Sequence, residues 1–451
     1  MTGVSAAARP DTLSAATREH PPGRLVHWAF YAFVLSIPFE FPGRSFPVEI
    51  PTIAAALFVL ATLLEPRRCY ARTPPVLLLF AAYFYAYWMS AVVNGRAPVA
   101  TDLNAADYWM EVTRLFVLEL ETVLTFWAGF NLMRSQKTAR TALVVLAVAC
   151  VLEALLPLLG VARTARAQWG GGERVTAMGQ NPNHNADVLA AGIIALLGLR
   201  YGLLQQPLRR GRWLVWPAFG ISAISLVNTG SRGGLLSLGL GLVVLTLTGA
   251  RSGWAKLRSG AALAVGIAAL VYTAYSNDLM RRRLDDTIEH GKFTHRERLF
   301  PALLAMFTER PVFGWGPVNN KYELGIRQDE RVRRRRDAHN IVLEVLTATG
   351  LAGAIPFFTG IGLCVAGAWR SRRGAHGFVP FALCVVMGMA NMSGNLIASQ
   401  LLWLVLAYAA AASLRQREAA RRGPPAAPVW RPTPGLSPRR VEPAEPSVAA
   451  T

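Results

Sequence analysis

The chain has 451 residues, of which 53% are hydrophobic and only 16% charged, and it carries a formal net charge of +20. Uncharged apolar runs of 17 to 25 residues recur along it, each long enough to cross a hydrocarbon core of about 30 Å as a helix. This excludes an ordinary soluble domain, whose charged fraction would be nearer about 25%, and the length of the runs points to spanning helices and not to a barrel. The four cysteines, Cys69, Cys150, Cys364 and Cys384, are scattered without a CxxC or Cys/His pattern, so neither a zinc site nor a disulfide framework is expected. On such a chain the positive excess implies anionic lipid contact and not nucleic acid.

In chain order, the first 24 residues are polar, and the first apolar run reads as a retained helix. Hydropathy predicts twelve spans, at roughly 25–42, 48–65, 75–93, 109–133, 140–160, 184–204, 213–230, 233–250, 259–276, 340–369, 377–394 and 396–414. The tenth contains TGLAG and Pro356, so a kink or partial re-entry is expected there. The expected organisation is a disordered tail 1–23, spans one to nine within 24–276, and a basic loop 277–339. Spans ten to twelve follow within 340–415, then a disordered Pro-rich tail 416–451.

Basic residues follow every even-numbered span, for example Arg67, Arg68 and Arg72 after the second and Arg370, Arg372 and Arg373 after the tenth. By the positive-inside rule both termini are cytoplasmic. The loop 277–339 then faces outward, although it holds fourteen Lys/Arg between Arg281 and Arg336. One reading is a solvated loop balanced by Asp285, Asp286, Glu289, Asp329 and Glu330; the other is a site for an anionic, phosphorylated, lipid-linked substrate.

Four features fall on this outer side. TGSRGG (Thr229–Gly234) places Arg232 at a helix terminus, where backbone N–H groups and a guanidinium can grip phosphate oxygens. In Thr294–Asn320, apolar positions at helical spacing (Phe300, Leu303, Leu304, Phe307) predict a surface-lying amphipathic helix ended near Pro311, with Arg296 and Arg298 at its start. His339 opens the tenth span beside Asn340, with Glu344 further in; a neutral imidazole there can take a proton from a hydroxyl. The stretch Glu173–Ala190 carries Arg174 and the turn Asn181-Pro182-Asn183 before the sixth span. Inside the bundle, Arg114, Glu119 and Glu121 of the fourth span and Asp187 of the sixth are costly in lipid, and pairing among buried polar groups is expected. Arg114 has the alternative of lining a substrate groove.

Together, TGSRGG, the block Arg296…Met306…Arg310-Pro311 to Gly316, and His339-Asn340 through Gly350 and Gly353 resemble the O-antigen ligase and O-antigen polymerase superfamily. The resemblance covers about residues 170–360; Phe300 stands where relatives usually carry tryptophan. It implies a membrane glycosyltransferase of the GT-C type in the bacterial inner membrane, with its site on the periplasmic face. The donor would be a glycan on undecaprenyl pyrophosphate and, for a ligase, the acceptor a sugar hydroxyl of the lipid A core. No cofactor and no metal are implied. In this reading His339 is the general base, and Arg232 and Arg296 clamp the pyrophosphate. Arg174, Asn181, Asn183 and Arg298 bind substrate beside them, and Arg333, Arg334, Arg335 and Arg336 form an electrostatic landing for phosphorylated lipids. A polymerase or a protein O-oligosaccharyltransferase would use similar motifs with another acceptor, and a transporter with a basic vestibule remains the alternative from a different class.

Overall fold

The computed structural model describes residues 21–41, 48–95, 105–160, 174–178, 180–200, 213–249, 253–290, 296–328, 335–394 and 397–422. Most of both expected tails, Arg333, Arg334 and the basic residues Arg209, Arg210, Arg212 and Arg251 lie outside them, as do the side chains of Arg296 and Arg298.

Every regular element among the described residues is helical. The first half comprises α1 (Arg24–Ser36), α2 (Ile50–Leu63), the short α3 (Pro66–Cys69), α4 (Pro75–Asn94), α5 (Ala105–Met133), α6 (Gln136–Leu158), α7 (Pro182–Arg200) and α8 (Val215–Asn228). The second comprises α9 (Arg232–Gly249), α10 (Gly253–Ser276), α11 (Asp278–His290), α12 (Arg296–Glu309), α13 (Asn319–Arg327), α14 (Ile341–Arg370), α15 (Val379–Asn391) and α16 (Gln400–Arg422). Each of the twelve apolar runs contains a helix. Four stretches, Pro75–Asn94, Ala106–Met133, Gln136–Leu158 and Ile341–Arg373, are long and apolar enough to cross a membrane, and a fifth if the bent pair α10–α11 counts as one. The chain is thus a multi-pass membrane protein, all-helical among its described residues. Helices α2, α8 and α15, at 13 or 14 residues, are shorter.

Two packing centres hold the bundle. In the first, Phe80 of α4 meets Trp403 of α16, Phe126 of α5 and Phe357 of α14 edge-on at centroid distances of 4.9, 5.3 and 6.4 Å, an arrangement that aromatic quadrupoles favour. The second is α7, whose Ala/Gly-rich sequence lets it sit buried among α6, α8, α9 and α15. Small residues permit this close approach: a Cβ at Gly192 would stand 2.5 Å from Cys150 of α6. All four cysteines are buried and unbridged.

The break expected in the tenth span is present, but at Gly350 of the TGLAG stretch (φ 61°, ψ −160°) and not at Pro356. The break exposes backbone groups that a continuous helix would pair, and the loop after α12 takes them up. Trp315 and Gly316 donate their N–H groups to the carbonyls of Thr347 (2.7 Å) and Ala348 (3.0 Å), while Leu351 and Ala352 donate to Pro311 (2.8 Å) and Val312 (3.0 Å). Ser90 and Asn94 of α4 complete the joint, donating to the carbonyls of Ala348 (2.7 Å) and Gly314 (3.2 Å). The RPVFGWG segment is therefore a backbone splint across a broken helix.

A second bend, of 100°, separates α10 from α11. It falls at Asn277, whose carboxamide oxygen caps α11 at Met280 N (3.0 Å). The expected amphipathic helix is α12, ending just before Pro311. Its Leu303 and Met306 pack with Trp315, Leu324 and Ala338 in a small separate core, and Phe300 and Leu304 stay exposed.

Candidate active site

The Asn340 side chain accepts hydrogen bonds from Val342 N (2.9 Å) and Leu343 N (3.1 Å), so it caps α14 and fixes where that helix begins. The residue before the cap, His339, is held at φ 50°, the sole non-glycine with positive φ among the described residues. Such conformations are strained and concentrate at functional sites. One turn into α14, the buried Glu344 accepts from Asn320 Nδ2 (3.1 Å) and from Ala338 N (3.3 Å), tying α13 and the His339 loop to the helix start.

His339 lines a cavity of about 290 Å³. Its walls come from α4 (Tyr83, Tyr87), α5 (Glu119), the start of α7 (Asn181, Asn183, His184, Asp187), α13 (Lys321), Asp337, α14 (Glu344) and the turn after α15 (Ser393). The expected Asn181 and Asn183 are thus brought to His339 from about 156 residues away in sequence (339 − 183). Asn181 accepts from Asn183 N (3.0 Å) and Pro182 opens α7, so NPN is the helix entry that places both amides.

Arg174 and Arg232 flank this cavity without lining it. Arg174, buried, donates through Nε to Thr229 O (2.7 Å) and through Nη2 to Asn183 Oδ1 (2.7 Å), joining the TGSRGG turn to the NPN turn. In TGSRGG, Gly230 takes φ 65° and Ser231 Oγ caps α9 at Gly234 N (3.2 Å). Arg232 then reaches α11, donating to Arg283 O (2.8 Å) and to the Thr287 hydroxyl. The next residue, Gly233, lies against Ser393 in the cavity wall, and Asn340 Nδ2 donates to Met392 O (3.5 Å). One turn, Met392–Gly394, therefore stands between the Arg232 helix terminus and His339.

Arg296 and Arg298 are on the first turn of α12; their side chains lie outside the described residues. Arg335 pairs with Glu111 of α5 (2.5 Å) and stacks over Tyr322, whereas Arg336 is exposed. Arg114 is exposed on α5 and does not line the cavity. Charge in the loop is paired at several points: Arg327 bridges Glu309 (2.5 Å) and Glu323 (2.7 Å), and Lys321 meets Asp337 (2.8 Å); of the acids expected to balance it, Asp329 and Glu330 lie outside the described residues.

The cavity lining holds four carboxyl side chains, Glu119, Asp187, Asp337 and Glu344, and one lysine. Sequence reasoning expected Glu119 and Asp187 to be structural groups inside the bundle and did not single out Lys321, Tyr83, Tyr87 or His184. The signal for Glu119 was its cost in lipid; which face of α5 carries it could not be read from the chain. Glu121, two residues on, instead accepts from Gln400 of α16 (3.0 Å). Burial disfavours charge on both Asp337 and Lys321, but it is outweighed by the Glu344 and Asp337 carboxyls around Lys321, and by the Lys321 ammonium with His339 and Arg335 around Asp337, so the Asp337 carboxyl is held below its usual range and the Lys321 ammonium above. Among the described residues no three His, Cys, Asp or Glu are grouped to hold a metal ion.

A family model described as O-antigen ligase matches residues 217–358, from α8 into α14. No curated protein matches the chain.

Proposed function

Because residues 217–358 carry a domain of the O-antigen ligase family, we propose that this membrane protein is an O-antigen ligase. It transfers a glycan from undecaprenyl pyrophosphate to a sugar hydroxyl of the lipid A core at the periplasmic face of the inner membrane, within a twelve-span GT-C architecture. The observation that carries the reading is His339, held at φ 50° in the wall of a polar cavity where α4, α5, α7, α13 and α14 meet.

In the proposed reaction the acceptor hydroxyl gives its proton to His339 as its oxygen attacks the anomeric carbon from the face opposite the pyrophosphate. The carbon–oxygen bond to phosphate breaks, the configuration inverts, and the pyrophosphate leaves with the bonding pair. Arg232, Arg296 and Arg174 stabilise the growing negative charge, with Arg298 beside them, in the role that a metal fills elsewhere. Arg232 now donates to neutral acceptors on α11, and exchanging them for phosphate oxygens gives stronger, charge-assisted bonds. Arg333, Arg334, Arg335 and Arg336 draw phosphorylated lipids to the surface collectively.

The test is a transfer assay with purified protein, lipid-linked glycan and rough lipopolysaccharide. His339→Ala is expected to lose about 10²–10⁴ in rate, the usual worth of general-base assistance, and His339→Gly with added imidazole to recover part of it. A folded His339→Ala protein that ligates normally sinks the base assignment. In cells, deletion of the gene should leave lipid-linked polymer intact but unattached; shortened polymer would indicate a polymerase.

A further inference from the structure

Among the described residues no arginine lines the cavity around His339. Four carboxyl side chains face one lysine in its lining, and Arg174 and Arg232 stand outside it. A pyrophosphate entering there would lose hydration with no guanidinium in the lining to replace it. Carboxyl and amide groups together with tyrosine rings and apolar side chains suit a neutral, hydroxyl-rich ligand instead.

Glu119 is the residue whose surroundings are incomplete. It is 7% exposed, on a membrane-spanning helix, and Tyr83 OH donates to its Oε1 at 3.4 Å. Its Oε2 has no hydrogen-bond partner among the described residues. A buried carboxyl oxygen without a donor is costly, and this one belongs to a residue of the cavity wall, so a ligand hydroxyl would satisfy it. Tyr83 and Tyr87, with ring centroids 6.1 Å apart, also line the cavity. Glu344 and Ala348, on successive turns of α14 below His339, show that the space runs inward along that helix. Its volume, about 290 Å³, lies at the small end of ligand pockets, which run from about 300 to 1,000 Å³. It suits a terminal sugar residue and not a polymer.

Resting on the ligase reading above, we propose that this cavity receives the acceptor sugar, and that Glu119 selects it by accepting a hydrogen bond from a ring hydroxyl while Tyr83 and Tyr87 meet the sugar's apolar face. The acceptor is favoured over the donor sugar because the hydroxyl that loses its proton must come within about 2.6–3.2 Å of the His339 imidazole. The sugar bearing that hydroxyl therefore enters the space His339 lines, and the donor's pyrophosphate remains on the arginine flank.

In the full-length protein reconstituted in nanodiscs, Glu119→Leu is expected to raise the acceptor KM about tenfold, the loss of one buried hydrogen bond, with the donor KM unchanged. Glu119→Gln, which keeps an acceptor oxygen, should recover most of the affinity. Tyr83→Phe, which frees the carboxylate from its anchor but keeps the ring, should move the same constant if the leucine variant does not fold. A rise in the donor KM alone, or an acceptor KM unaltered in Glu119→Leu or, where that variant does not fold, in Tyr83→Phe, overturns the assignment. Calorimetric titration of delipidated core oligosaccharide, without donor, separates it from the ligase reading. Core bound by wild type and lost in Glu119→Leu supports the site even if no transfer occurs, in which case the ligase reading alone falls. Active transfer with equal core binding in both proteins, or no core binding by wild type, removes the site assignment and leaves the ligase reading in place.

Discussion

His339 keeps a backbone conformation that costs an ordinary side chain roughly 1–3 kcal/mol, and its neighbours explain how it is held. Asn340 fixes the helix start behind it, and Ala338 N is bound to Glu344. Two residues before it, Asp337 is pinned to Lys321 at 2.8 Å. This pair has a defined pH window. The Asp337 carboxyl is depressed on folding, so its contribution is complete above its unfolded value and disappears as pH falls through the folded one. The Lys321 ammonium is raised, so its contribution is complete below its unfolded value and disappears as pH rises through the folded one. The tether is therefore fully present between about pH 4 and pH 10. Since Asp337 is half exposed, Asp337→Asn should cost no more than about 1 kcal/mol. Thermal melts of both proteins should differ at neutral pH and converge below about pH 4; a gap that persists in acid would show that the ion pair is not its source.

At the level of elements, the broken α14 and its splint give the RPVFGWG motif a structural role at the break in the helix that His339 precedes. The loop supplies two N–H groups and two carbonyls to the break at Gly350, so its sequence is constrained by backbone fit. A Cβ at Gly350 would stand 2.3 Å from Val312 O, with φ at 61°. Gly350→Ala is accordingly expected to destabilise by at least about 2 kcal/mol, since a left-handed backbone and a contact with another backbone atom both oppose it. Gly362→Ala, twelve residues further along α14 where a Cβ meets nothing within 4 Å, should be neutral or slightly stabilising. Thermal midpoints and detergent-extracted yield would measure both, and equal behaviour of the two variants would show that the splint is not needed. The sequence placed a break in this run but offered two causes, a proline and a glycine pair. In the structure Pro356 lies within continuous helix, and the left-handed backbone at Gly350 makes the break.

Across the whole molecule, the proposed topology puts the α12–α13 region and His339 on one side of the membrane and the end of α16 on the other. Cys69, Cys150, Cys364 and Cys384 are all buried, so the native chain gives little background to thiol labelling. A membrane-impermeant maleimide supplied to the periplasm should label Arg336→Cys, next to the cavity, and spare Arg421→Cys at the end of α16; both native residues are exposed. The opposite pattern would invert the topology and remove the periplasmic reaction. The same view sets the cavity beside a basic loop. Arg335 and Arg327 of the loop pair with Glu111, Glu309 and Glu323, whereas the cavity where α4, α5, α7 and α14 meet has four carboxyls, two amides and one lysine among apolar and aromatic side chains.

The chain by itself determined an all-helical membrane protein, the positions of its apolar helices and the prominence of His339. Hydrophobic length is a local property, and a histidine at a polar–apolar boundary is visible without its neighbours. Only the tertiary structure decided what surrounds that histidine. Whether Glu119 and Asp187 face a cavity or another helix depends on the rotation of α5 and α7 about their axes. In a helix apolar on several faces that rotation is set by contacts with other helices, such as Gly192 against Cys150 and Phe80 against Trp403. The course of Arg232 toward α11 likewise follows from the bend at Asn277, a long-range consequence that no spacing along the sequence encodes.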